Sequence, residues 1–167
     1  YLFNQSIRDN IKIGFLEASD EDVVNAAKAA CCDEFITNLP DGYDTVLGEG
    51  GIHLSGGEAQ RISIARAIIR NTPVLVLDEA TAFADPENER LIQTALRRLM
   101  ENRTVIIIAH RLGTIKDADN ILVMDKGKLV ESGTHQVLLQ AGSLYSDMWM
   151  RYTQSLEWGI GKETVIS

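Results

Sequence analysis

Two short apolar runs with one helical stretch between them constrain this chain most. "VLVLDEA" (74–80) is apolar until it closes on Asp78 and Glu79. "TVIIIAHR" (104–111) is a second run, ending at His110. Continuous runs of that length, without alternation, read as strands buried in a parallel sheet. Between them, "DPENERLIQTALRRLMENR" (85–103) reads as a helix, with Pro86 near its first turn and acids at its front. Strand, helix and strand in this order predict an α/β core built on a parallel sheet.

The flanking sequence fits around that core. "SDEDVVNAAKAACC" (19–32) reads as a helix, with Ser19 and Asp22 spaced as a capping box. Pro40, Gly42, Gly48, Gly50 and Gly51 make 39–54 loop-rich. Apolar residues recur at helical spacing from Ser55 to Arg70, and Pro73 ends that element. "NILVMDKGKLVESG" (120–133) reads as a β-hairpin around Asp125–Gly127, followed by two helical stretches and a loose tail from Gly159 to Ser167.

Composition narrows the function. The formal net charge is −8, so a broad nucleic-acid footprint, which needs a basic surface, is not expected. The apolar runs fall far short of the roughly 20 residues of a membrane span. Cys31 and Cys32 are adjacent, with no CxxC or Cys/His ligand spacing around them. They read as reduced thiols without a metal role, which suits a cytosolic compartment.

In an open α/β sheet, ligands bind beyond the carboxyl ends of the strands. Asp78, Glu79 and His110 all fall there. Neighbouring strand residues point opposite ways, so the two acids suit a division of labour. One would serve Mg²⁺ through water, and the other would polarise a water attacking a phosphate. An isolated pair of this kind can equally cap the turn into the next helix, and an isolated histidine more often serves a turn. His53 and His135 lack such a setting and read as structural or surface residues.

"LSGGEAQR" (54–61) places Ser55, Gly56 and Gly57 at a helix start. Exposed amides and the helix dipole attract anions there, and glycine permits close backbone approach. The plainer reading is a glycine turn into a helix. No G-x-x-x-x-G-K-[ST] loop occurs: Gly127-Lys128 lies in the hairpin and Gly161-Lys162 is followed by Glu163.

Together these pieces resemble the nucleotide-binding domain of an ATP-binding cassette (ABC) transporter. "LSGGEAQR" resembles its signature, "VLVLDE" its Walker B strand, "ATAFADPENE" its D-loop and "AHR" its switch histidine, in family order. "YLFNQSIRDNI" is similar to the segment after the Q-loop, and "TVLGEGGIHLSGG" to the T-x-V-G-E-x-G segment of exporter-type cassettes. "GKLVESGTHQVLL" resembles the closing stretch. The form "TAFADPENE" is similar to a bacterial branch that handles iron–siderophore complexes.

The resemblance implies that residues 1–158 are an incomplete, P-loop NTPase-like ABC domain. A helical signature subdomain would span about 1–70 and the catalytic core about 71–158, followed by the tail 159–167. It implies ATP and Mg²⁺ as ligands, Asp78 on the metal, and Glu79 and His110 as catalytic residues. Ser55, Gly56, Gly57 and Glu58 would cover an ATP held by a second cassette, Asp85 would belong to the D-loop, and Leu2, Phe3 and Glu49 would face the transmembrane domain. The partners implied are a second nucleotide-binding domain, identical or different, and the transmembrane domain, at the cytoplasmic face of the membrane. Two positions depart from the family pattern: Glu58 replaces the commoner Gln, and Ala82 replaces the usual D-loop Ser.

The A-loop aromatic, P-loop and Q-loop glutamine precede position 1 in the family. The chain is therefore expected to be the C-terminal two-thirds of a cassette, inactive alone, with unpaired strand edges and exposed apolar surface. An SMC-type ABC ATPase lobe and a non-catalytic truncated fragment are the rival readings. Against the first stand the absence of a heptad coiled coil, the acidic charge and the "VLGEGG" segment.

Overall fold

The structure is a computed structural model that describes residues 1–78, 86–109 and 112–163. It divides into two compact units, Tyr1–Ile106 and Ile107–Ser167.

The first unit is built mainly of helices. α1 (Ile7–Lys12) starts at Ser6, whose hydroxyl accepts from the Asp9 amide. α2 (Asp20–Ala29) carries the expected capping box, with Ser19 and Asp22 bonding reciprocally. α2 stops three residues before the expected end. Cys31 adopts φ 56°, a left-handed conformation that breaks the helix, so the cysteines lie in the break before α3 (Asp33–Thr37). α4 (Gly56–Arg70) ends at Asn71, also left-handed, two residues before Pro73. β1 (Val74–Asp78) leads towards α5 (Pro86–Met100), which has proline at its first position. β2 (Thr104–Ile108) follows and lies beside β1. The α5 crossover between neighbouring strands makes the pair parallel.

The core forms where helical stripes meet. Ile92, Ala95, Leu96 and Leu99 of α5 recur at helical spacing, as do Val23, Ala26, Ala27 and Ala30 around α2, and both sets are buried. Ile7 and Ile11 of α1, Ile62 and Ala65 of α4 and Leu75 of β1 complete the cluster.

The strands correct one expectation. Only Leu75 of β1 is buried, while Val74 and Val76 are 52% and 59% exposed and Ile106–Ile108 of β2 are exposed as well. A two-stranded sheet with helices against one face leaves its other apolar face uncovered. This matches the exposed apolar surface anticipated for a chain without the P-loop strand.

In the second unit, β3 (Ile121–Asp125) and β4 (Lys128–Gly133) pair antiparallel as expected. Lys126 and Gly127 have φ 47° and 75°, the double positive-φ turn whose twist suits a two-residue hairpin. The register slips at Val123/Met124, leaving a bulge. α6 (His135–Ala141) is capped by Thr134. α7 (Leu144–Glu163) runs on through residues 159–163, which the sequence suggests are loose. Glu131 of β4 accepts from the Leu144 and Tyr145 amides at 2.7 and 3.2 Å, satisfying the start of α7. His135 Nδ1 lies 2.8 Å from the Tyr145 hydroxyl, and its ring packs edge-on to Trp149.

Candidate functional site

The start of α4 carries the first part of the site. Ser55 has extended backbone (φ −61°, ψ 158°) and its hydroxyl accepts from the Glu58 amide at 3.3 Å. Glu58 reaches back, its Oε2 accepting from the Ser55 amide at 2.8 Å and from the Ser55 hydroxyl at 2.7 Å. This second capping box is written in the sequence as S-x-x-E, with the same spacing as the S-x-x-D of Ser19 and Asp22. It uses the amides of Ser55 and Glu58. The first-turn amides of Gly56 and Gly57 have no acceptor within the helix, as at any helix start. Glu58 thus shapes the turn, and its carboxylate also puts a negative charge beside an anion-attracting terminus.

The two glycines are not equivalent. A Cβ at Gly56 would meet nothing within 4 Å, so the backbone there is open to a ligand. Gly57 is buried, and a Cβ there would lie 2.9 Å from Asn88 Cγ and 3.0 Å from its Cβ and Oδ1. Close approach by the neighbouring helix α5, rather than by a ligand, requires that glycine.

The second part is the carboxyl end of β1, where Asp78 is exposed at the last strand position. Glu79, Asp85 and Ala82 lie in 79–85 and His110 in 110–111, outside the described residues. Among the described residues no group of three His, Cys, Asp or Glu side chains could hold a metal ion. A single exposed carboxylate still fits Mg²⁺, which keeps most of its water and takes one or two protein carboxylates.

The third part is the amino-terminal edge. Ser6 pairs with Val46 as an antiparallel bridge, Ile7 N donates to Thr45 O at 3.0 Å, and Leu47 N donates to Gln5 O at 3.1 Å. This pairing brings the segment holding Leu2 and Phe3 beside the loop holding Glu49. Phe3 is 45% exposed, Glu49 is exposed and Leu2 packs on the core.

Two residues that sequence reasoning missed hold this edge to α4. Asn10 is fully buried. Its Oδ1 accepts from Phe3 N at 2.9 Å and from Arg66 Nη2 at 3.0 Å, and its Nδ2 donates to Phe3 O at 3.0 Å. Arg66 also donates to Asn10 O at 2.8 Å and Tyr1 O at 3.0 Å, and stacks over Phe3. Burial lowers the Arg66 pKa. No sequence pattern separates this asparagine from a surface one.

Known proteins resemble this chain in sequence and in fold. The sequence model of the ABC transporter family matches residues 2–82. The chain is 56% identical over 151 residues to the ATP-dependent lipid A-core flippase of Acinetobacter baylyi, covering 90% of this chain and 26% of that protein. It is 52% identical over 152 residues to the mitochondrial potassium channel ATP-binding subunit of Mus musculus, covering 91% of this chain and 21% of that protein. A bacterial Atm1-family ABC exporter solved with ATP bound superposes with a TM-score of 0.78 at 49% identity, over 90% of this chain and 26% of that one. The chain spans about a quarter of the length of these relatives. The iron–siderophore branch finds no support in them and is set aside. Motif order, fold and relatives agree that the chain belongs to the ABC transporter family, as a segment of an exporter-type nucleotide-binding domain.

Proposed function

We propose that this chain supplies part of the ATP-hydrolysing machinery of an exporter-type transporter working as a head-to-tail dimer. Ser55, Gly56 and Gly57 cover the γ-phosphate of an ATP held by the partner cassette. Asp78 holds Mg²⁺ through water, and the bound ion offsets phosphate charge. Glu79 orients and deprotonates the attacking water, and His110 donates to the γ-phosphate. Asp85 acts in the D-loop contact between the two cassettes. Leu2, Phe3 and Glu49 contact the transmembrane domain at the cytoplasmic face of the membrane.

The observation that carries this reading is the start of α4. Its capping box fixes the turn, and open space lies over Gly56. Amides held in place before the anion arrives need no reorganisation during the reaction. The high identity to relatives with different named roles supports a motor that does not itself read the cargo. In the full-length transporter, Glu79→Gln is expected to retain ATP in a stable dimer while turnover stops. Turnover near that of the wild type would remove Glu79 from this role.

A further inference from the structure

α4 holds two arginines that reach other elements. Arg61 is buried and donates to Asn88 of α5. Arg66, further along the helix, reaches the amino-terminal edge instead. Its guanidinium donates to Asn10 O, Asn10 Oδ1 and Tyr1 O and stacks over the Phe3 ring. The backbones meet at the same place, because a Cβ at Gly14, just beyond α1, would collide with the Arg66 carbonyl. Asn10 spreads the tie along the edge. Besides holding both backbone groups of Phe3, its Nδ2 lies 3.0 Å from Ser6 O and 3.3 Å from Gln5 O. Ser6 pairs with Val46, and Gln5 O accepts from Leu47 N. Arg8 straps α1 to the same loop, donating to Asp44 Oδ1 at 3.0 Å. One continuous path of bonds therefore runs from α4 through Arg66 and Asn10 to Phe3 and to the loop holding Glu49.

We propose that Arg66 is a positioning residue: with Asn10 as its partner it ties the signature helix to the edge assigned to the transmembrane contact, so that a load on Phe3 or Glu49 reaches Ser55 and Gly56. α4 is one unbroken helix from Gly56 to Arg70. At 1.5 Å per residue, Arg66 lies about 15 Å along it from the signature turn. Rigid elements joined by hydrogen-bond networks are what carry coupling between separated sites. Bonds from a charged guanidinium are roughly twice as strong as neutral ones. Its planar fork also fixes direction, which a lysine ammonium does not. Phe3 shows what the network is suited to do. Both of its backbone groups bond to a fully buried asparagine, yet its ring stays 45% exposed. The network holds an exposed aromatic ring in a fixed place, where a partner can press on it. The inference rests on the proposed function, including the contact assigned to Phe3 and Glu49.

The test is a double-mutant cycle in steady-state ATP hydrolysis by the full-length transporter carrying this chain. Glu49→Arg disturbs the contact, and Arg66→Met keeps an apolar stem while removing the guanidinium. Arg66 bonds to Tyr1 and Asn10 and not to Glu49, so independent effects would multiply. Each single change is expected to lower kcat by about fivefold or more, with KM for ATP within about threefold of the wild type. The coupling predicts a double variant within about twofold of the slower single one. Arg66→Lys keeps the charge without the fork and is expected to behave like Arg66→Met in the cycle. It decides the matter if Arg66→Met does not accumulate as folded protein. A double variant slowed further, towards the product of the two single effects, would overturn the coupling, because Arg66 would then serve stability alone. So would an Arg66 variant with the kcat of the wild type. An active wild type indifferent to Glu49→Arg would remove the contact at Glu49, and the coupling with it, while leaving the ATPase function standing. A wild type without ATPase activity would overturn the proposed function itself.

Discussion

Replacing Asn10 with alanine should loosen the amino-terminal edge more than any change at its exposed apolar residues. Asn10 is 0% exposed. Alanine leaves the Phe3 amide and Arg66 Nη2 without their acceptor and the Phe3 carbonyl without its side-chain donor. A bond to a charged group contributes roughly 1.5–3 kcal/mol and a neutral one roughly 0.5–1.5 kcal/mol. With incomplete additivity, the loss is about 3–5 kcal/mol, a large share of the roughly 5–15 kcal/mol that stabilises a domain. Because every 1.4 kcal/mol is about tenfold in an equilibrium, local opening of α1 should rise about a hundredfold or more. Hydrogen exchange, followed by mass spectrometry on peptides spanning residues 1–13, reads this directly. Protection lost by less than threefold would mean that the Asn10–Arg66 bonds do not hold the edge, and the argument from its burial would fail.

Other consequences are more local. Glu58→Gln keeps an acceptor for the Ser55 amide but removes a negative charge from the start of α4, so the ATP concentration giving half-maximal hydrolysis should fall a few-fold; a rise would contradict the electrostatic reading. In native protein a thiol reagent should label Cys31 but not Cys32, which is fully buried and pushed up to about 12 by that burial; equal labelling of both would refute it. The Ser19 hydroxyl and amide hold the Asp22 carboxyl below its ordinary value near 3.8. Its contribution to α2 is therefore fully present above that value and lost as pH falls through the lowered one. Carboxyl NMR titration should show the midpoint rising towards 3.8 in Ser19→Ala. Lys126→Asn suits the double positive-φ turn better and should stabilise the hairpin by about 0.5 kcal/mol, measured by exchange of the β3 and β4 amides.

Elements whose signals are local were legible in the sequence. Ser19–Asp22 gives the start of α2, Pro86 the start of α5, and Asp125–Gly127 the hairpin, because caps and turns are set by neighbours along the chain. Burial of β1 and β2 was not legible in the same way. An apolar run says that a strand can be covered on both faces, whereas Val76 and Ile106 show that these faces depend on other layers being present. α1 and α3 are short, at 6 and 5 residues, and periodicity has too few positions to register them. In the candidate site, the residue types at 55–58 and at Asp78 were readable from motif and strand end. The distinct roles of Gly56 and Gly57, and the burial of Asn10 and Arg61, were not. They follow from contacts between residues far apart in sequence, such as Gly57 with Asn88 and Asn10 with Arg66.

The central claim is that the signature turn serves a nucleotide held by the partner, while Glu79 serves the chain's own. Mixing two full-length variants tests it most directly: Ser55→Arg, which blocks the signature, and Glu79→Gln, which removes the base. In a mixed dimer, one site combines the intact Glu79 of the first with the intact Ser55 of the second. The mixture should hydrolyse ATP well above either variant alone in a single-turnover measurement. If the mixture is no more active than the two separate variants, Ser55 and Glu79 act on the same chain's nucleotide, and the account is wrong.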